Sequence, residues 1–142
     1  MTVNQLSIFL ENRAGTLTKV LDLFKEAHIR IIASSIADTA QYGLLRIICV
    51  DPQRAYAELE RAGVAVAFSD VFAIELDNQP GRAAEAVEIF SKAGISITYL
   101  YSFLLNGKGV LIFRNDNAEK AAEIIAANDL RLIREKDLSK LL

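Results

Sequence analysis

Residues 8–32 read IFLENRAGTLTKVLDLFKEAHIRII, and residues 74–98 read IELDNQPGRAAEAVEIFSKAGISIT. The second stretch is the first displaced by 66 positions without a gap. Ile8, Leu10, Asn12 and Gly15 recur as Ile74, Leu76, Asn78 and Gly81. Phe24, Ala27, Ile29 and Ile31 recur as Phe90, Ala93, Ile95 and Ile97. Outward from this block, Gly43, Leu45 and Ala55 return as Gly109, Leu111 and Ala121. Turn glycines and apolar residues kept in one register mark a duplicated structural unit.

Each copy changes its hydrophobic period in the same order. Leu6, Ile8 and Leu10 alternate, which reads as a strand, although Phe9 makes the other face apolar as well. Residues 12–15 form a turn. Leu17, Val20, Leu21 and Phe24 then fall at i, i+3, i+4 and i+7, the stripe of an amphipathic helix ending near His28. Residues 30–37 read as a strand, 39–43 as a turn and 44–50 as a third strand. Asp51-Pro52 opens a second helix, with Asp as N-cap and Pro in the first helical position. Ala55, Leu59 and Ala62 line that helix, Gly63 ends it, and Val64, Val66 and Phe68 make a fourth strand. The second copy gives strands at 71–76, 95–104, 110–114 and 130–133, helices at 80–93 and 117–128, and a short tail at 136–142.

The unit is therefore βαββαβ. The expected fold is α+β: two tandem ferredoxin-like units, residues 1–69 and 70–142, each an antiparallel sheet with both helices on one face. A unit of about 70 residues has a thin core on its own. With only Ser69 and Asp70 between the copies, the two are expected to pack as one rigid pseudo-dimer. That packing, or a further homodimer contact, accounts for apolar residues on both strand faces.

Composition narrows the function classes. Sixteen Lys and Arg against eighteen Asp and Glu give a net charge of −2, which argues against a general nucleic-acid binder. The single cysteine, Cys49, allows no intrachain disulfide, and with one histidine, His28, it cannot supply a Cys/His zinc site. The first residues lack the pattern of a signal peptide, and the apolar runs are too short to span a bilayer as a helix. A cytoplasmic protein without membrane or cofactor is the expectation.

The chemical signal lies in the turn after the first strand. Glu11-Asn-Arg-Ala-Gly15 and Asp77-Asn-Gln-Pro-Gly81 share an acidic residue, Asn, two variable positions and Gly, followed by an apolar helix. Glycine admits positive φ or close approach of a ligand. The helix start beyond it offers amide donors and the positive end of the dipole, suited to a carboxylate. Asn carries donors and an acceptor, so it can read an amino group and a carboxylate together. The plainer reading is a helix-entry turn in which Asn12 and Asn78 cap. Repetition in register inside a βαββαβ unit makes the binding reading competitive.

These residues resemble the ACT domain, a small regulatory module that binds amino acids, and the resemblance covers nearly the whole chain twice. The family's turn, acidic/Asn-x-Pro-Gly-x-Leu in pattern, keeps its Pro here only at Pro80, with Ala14 in the first copy. It keeps its Leu only at Leu17, with Ala83 in the second. The helix end Ala-x-Ile-x-Ile is family-like in both copies. The resemblance implies a stand-alone protein of two tandem ACT domains, with ligand sites between paired domains. It points to Asn12, Ala14, Gly15, Thr16 and Leu17, and to Asn78, Pro80, Gly81 and Arg82. It adds a polar partner-domain residue before strand two, at Arg30 and Ser96, where relatives often carry Asn.

Other chemistry reads weakly. His28 has Gly94 as its counterpart and reads as a solvated helix-end residue; Cys49 sits in an apolar strand and reads as an inert thiol. Tyr99 and Tyr101 read as packing residues rather than a ligand wall. No nucleophile elbow, P-loop or dinucleotide fingerprint occurs. Strand three lacks the aromatic motif of an RNA-recognition module, and the first turn lacks the Cys-x-x-Cys of a copper carrier. The expected function is a non-enzymatic sensor of a free amino acid, as a homo-oligomer (a dimer) or coupled to a regulated enzyme or transporter. The alternative is a ligand-free assembly module; an unrecognised small enzyme ranks last.

Overall fold

The computed structural model describes residues 2–38, 42–138 and 140. The expected turn at 39–43 falls at 39–41 outside the described residues, as do positions 139, 141 and 142 of the tail. The contact pattern divides the chain into two compact units, one of Asn4–Ser69 and the other of Asp70–Leu142 with Met1–Val3.

The first unit contains all but the first residue of β1 (Val3–Glu11), then α1 (Thr16–Glu26), β2 (Ile31–Asp38), β3 (Tyr42–Cys49), α2 (Pro52–Arg61) and the start of β4 (Val66–Leu76). The strands lie in the order β2-β3-β1-β4. Antiparallel pairing sets Leu10 opposite Gly43 and Ile8 opposite Leu45, and Asp38 opposite Gly43 on the outer side. Leu6, Ile8 and Leu10 face the helices with Leu45, Ile47 and Cys49, and pack against Val20, Phe24, Ala55 and Leu59. The period of two in the strand and of 3.6 in the helix thus deliver one apolar face each.

The second unit takes the remainder of β4, then α3 (Arg82–Lys92), β5 (Ile97–Leu105), β6 (Lys108–Asn115), α4 (Ala118–Ala127), the two-residue β7 (Arg131–Leu132) and α5 (Glu135–Leu138). β6 lies between β5 and β4, and β7 pairs with β4 through Ile74 and Leu132. Phe72, Ile74, Leu111 and Phe113 pack against Ala86, Phe90, Ala121 and Ile125. The Phe90 and Phe113 rings sit 4.9 Å apart, tilted by 53°. Each such buried side chain contributes roughly 1.5–3 kcal/mol of apolar transfer. This is the α+β, ferredoxin-like arrangement the repeat predicts.

Boundaries differ from expectation where hydrogen bonding decides them. β5 begins at Ile97 rather than 95, because the Ile95 amide is used to close α3, donating to Phe90 C=O at 3.0 Å. α1 ends identically, with Ile29 donating to Phe24 C=O at 2.9 Å and His28 to Lys25 C=O at 3.1 Å. Both are Schellman ends. The strands expected on either side of Ser69 and Asp70 are one, since β4 runs unbroken from Val66 to Leu76. Part of the expected tail is the short helix α5, which buries Leu138. β5 and β6 are joined at Asn106-Gly107, both at positive φ (52° and 77°), the Asn-Gly signature of a two-residue hairpin.

Candidate functional site

The two turns have the same backbone. In the first, the Arg13 amide donates to Glu11 C=O at 2.9 Å, Thr16 to Arg13 at 3.4 Å and Lys19 to Gly15 at 3.0 Å. In the second, Gln79 donates to Asp77 at 2.8 Å, Arg82 to Gln79 at 3.4 Å and Glu85 to Gly81 at 3.0 Å. Gly15 and Gly81 are the N-caps, at φ 92° and 86°, and no side chain caps either helix. Only glycine takes that backbone without strain. Asn12 and Asn78 therefore do not cap; the turn itself takes the Thr16 and Arg82 amides, and the next two amides of each helix face solvent or a ligand.

The flanking side chains differ. In the first turn Thr16 Oγ1 donates to Glu11 C=O at 2.8 Å and to Arg13 C=O at 3.0 Å, and Arg13 pairs with Glu11 at 3.1 Å. Leu17 packs on the first core. In the second, Arg82 stands in place of Thr16 and pairs with Glu85 at 3.1 Å and Asp77 at 4.0 Å. Lys108 reaches the same Asp77 at 3.7 Å. Ala83 takes the place of Leu17 and is exposed. Ala14 and Pro80 are exposed at the matching corners.

Beneath each turn lies a strand glycine. A Cβ on Gly43 would stand 3.3 Å from Asn12 Oδ1 and 3.9 Å from Ile36. Asn12 Nδ2 donates to Asp38 Oδ1 at 3.2 Å. Around Gly109 the three nearest atoms all belong to Leu76. A cleft of about 300 Å³ opens there, lined among others by Asp77, Asn78, Arg82, Ala83, Ser102 and Leu104. That volume is at the small end for ligand pockets and suits a metabolite of few atoms. The cleft is lined by no histidine or cysteine.

The remaining sequence candidates lie elsewhere. Arg30 and Ser96 precede β2 and β5 at the ends opposite the turns; Ile31 and Asp38 are separated by about 23 Å of extended strand. The Ser96 amide donates to Asp116 at 3.2 Å, and Ser96 lines a separate open groove with Val87, Ser91 and Gly94. Within one unit, then, the turn residues come together and Arg30 and Ser96 do not join them. Tyr99 and Tyr101 do not line the cleft; Ser102, Phe103 and Leu104, further along the same strand, do. His28 is exposed and Cys49 is buried. Among the described residues no three His, Cys, Asp or Glu side chains stand together as a metal site, and no helix is long and apolar enough to cross a membrane. Sequence reasoning missed Asp38, Ser102 and Leu104 at the notches. It counted Gly43 and Gly109 only as repeat matches, although a glycine inside a strand is itself a sign of close approach.

Two βαββ-type ferredoxin-like units with a glycine-cornered turn before each first helix define a regulatory ACT architecture. A family model described as the ACT domain pair matches residues 1–142, and the chain belongs to that family. The crystal structure of protein BT0572 from Bacteroides thetaiotaomicron is similar to it at 37% identity and TM-score 0.92, over 97% of this chain and 96% of that one. The regulatory subunit of aspartate kinase from Thermus thermophilus, in ligand-free form, shares the fold at 14% identity and TM-score 0.63 (87% of this chain, 91% of that one). The corresponding subunit from Thermus flavus does so at 17% identity and TM-score 0.62 (87% and 88%). Comparison with curated proteins finds no match.

Proposed function

We propose that the chain is a non-enzymatic sensor that binds a free small amino acid at its glycine-cornered notches and acts, in the cytoplasm, on a regulated enzyme or transporter. The observation that carries this reading is the cleft of about 300 Å³ at the second turn. The α-carboxylate is placed at the amides of Ala83 and Ala84, where the dipole favours an anion. The α-ammonium is placed against Asp77, with Asn78 bridging the two groups. Pro80 and Arg82 shape the corner. Asn12, Ala14, Gly15, Thr16 and Leu17 are the corresponding set in the first unit. Arg30 and Ser96 cannot reach the notch of their own unit, so any role they have is in a notch built by another copy of the repeat, which favours a dimer. Two structural relatives are regulatory subunits of aspartate kinase, and a partner enzyme handling amino acids is the natural extension. Signalling then requires that the ligand bind one of two states more tightly.

Thermal unfolding in the presence of each common amino acid tests the proposal. A ligand at 100 times its Kd adds about 2.7 kcal/mol, a Tm rise of roughly 5–10 °C. Gly81→Val should abolish the rise at that site while the far-UV circular dichroism stays near that of the parent. No rise with any amino acid at millimolar concentration would favour the ligand-free assembly module instead.

A further inference from the structure

Seven asparagines stand in the chain, at 4, 12, 78, 106, 115, 117 and 128, and only Asn106 precedes a glycine. An asparagine side chain is open to one internal reaction. The backbone nitrogen of the next residue attacks its carboxamide carbon and closes a five-membered imide. A side chain on that next residue crowds the attack, and glycine has none. The attacking nitrogen must also be free of backbone hydrogen bonding, and in this the seven positions differ. After Asn12 the Arg13 amide donates to Glu11 C=O at 2.9 Å, and after Asn78 the Gln79 amide donates to Asp77 C=O at 2.8 Å. After Asn115 the Asp116 amide donates to Ser96 C=O at 3.2 Å, and after Asn128 the Asp129 amide donates to Ala126 C=O at 3.4 Å. Asn4 lies inside β1, and Asn117 has its carboxamide oxygen committed to the Lys120 amide as the cap of α4. At the β5–β6 tip the ladder closes with Leu105 opposite Lys108. The Gly107 amide lies outside that ladder, at an exposed corner where both tip residues hold positive φ.

We infer that Asn106 is a modification site: it deamidates in the folded protein, by attack of Gly107, faster than any other asparagine of the chain. The Gly107 nitrogen bonds to Asn106 Cγ and loses its proton, and the carboxamide nitrogen leaves as ammonia. Water, the one co-reactant, then opens the succinimide. Addition at the side-chain carbonyl gives aspartate; addition at the backbone carbonyl gives isoaspartate, whose main chain is longer by one atom. A hairpin tip absorbs that atom without disturbing the ladder, so the product stays folded. The new carboxylate stands two residues from Lys108, whose ammonium is 3.7 Å from Asp77 in the wall of the second-unit cleft. Deamidation therefore makes the net charge of −2 one unit more negative and gives Lys108 a rival anion beside that cleft.

Ageing the full chain at mildly alkaline pH tests the inference. Peptide mass spectrometry reads the added dalton, and isoaspartyl methyltransferase labels the isomer. Asn106 should react at least about tenfold ahead of Asn115 and Asn128, which must give up a backbone hydrogen bond and are attacked past a side chain. Asn106→Gly keeps a turn of the same type and should remove the label from that peptide. The aged chain should retain the far-UV circular dichroism of the fresh one. In guanidinium chloride the lead of Asn106 should narrow, because unfolding frees the other amides. Reaction at another asparagine first, or an intact Asn106 while Asn115 or Asn128 converts, would overturn the inference. A lead as wide in denaturant as in buffer would overturn the part given to the fold, and loss of structure as label accumulates would overturn the tolerance given to the tip.

Discussion

His28 takes a left-handed backbone, φ 55°, at the position where the other copy has Gly94 at φ 75°. Its amide closes α1 by donating to Lys25. A histidine there carries roughly 1–2 kcal/mol of strain that glycine avoids, partly offset by glycine's greater loss of chain freedom, about 0.5–1 kcal/mol. His28→Gly should therefore raise stability by about 0.5–1 kcal/mol, read as a higher urea midpoint at unchanged slope. The repeat made this position legible, since the two copies disagree only in residue type. It made Gly15 and Gly81 legible for the same reason. Where Asn12 points was not legible: its partner Asp38 is 26 residues away, and the two meet only once the pairing of β2 with β3 is known.

The helix starts were readable where a side chain makes them. Asp51 caps α2 by accepting from the Arg54 amide at 3.4 Å, with Pro52 next to it, as the dipeptide suggests. Asn117 caps α4 in the same way, accepting from Lys120 at 3.1 Å. Asp51 also sits at φ 59°, which Asp and Asn tolerate better than Ala. Asp51→Ala should then cost about 1–2 kcal/mol and Asp51→Asn only a few tenths, compared by thermal or urea unfolding. Strand edges were less readable. Ile95 has the composition of a strand residue, but its amide is taken by the end of α3. The strand at 130–133 shrinks to Arg131–Leu132, held by Ile74 and Glu75 of β4.

At the scale of the molecule, the repeat and its two periods were enough to give the α+β class and both helix-covered cores. The opposite sheet faces were not predictable from hydrophobicity. Phe9 is 52% exposed, whereas its neighbours Gln5 and Ser7 are buried. Gln5 donates to Ser7 Oγ at 3.3 Å, and Ser7 shares a hydrogen bond of 2.9 Å with Ser69. A polar chain can be buried when its members satisfy one another, and a binary pattern does not record that. Each helix-covered core has its own phenylalanine, Phe24 in one and Phe90 in the other. Phe90→Ala removes the ring against Phe113 and should cost about 3–5 kcal/mol, a large part of the 5–15 kcal/mol typical of a folded domain. Urea unfolding followed by circular dichroism would register it as a shift of the midpoint.

β4 carries the chain from one repeat into the next as extended backbone, with neither loop nor glycine between. Joints between duplicated modules commonly tolerate added length, whereas this one keeps count in twos. One residue inserted between Phe72 and Ile74 would turn one of them away from the helices of the second unit unless the strand buckled into a bulge to absorb it. The same insertion at Asn106-Gly107 would only lengthen a hairpin tip. Growth or shrinkage among its descendants should therefore collect at hairpin tips rather than inside this strand.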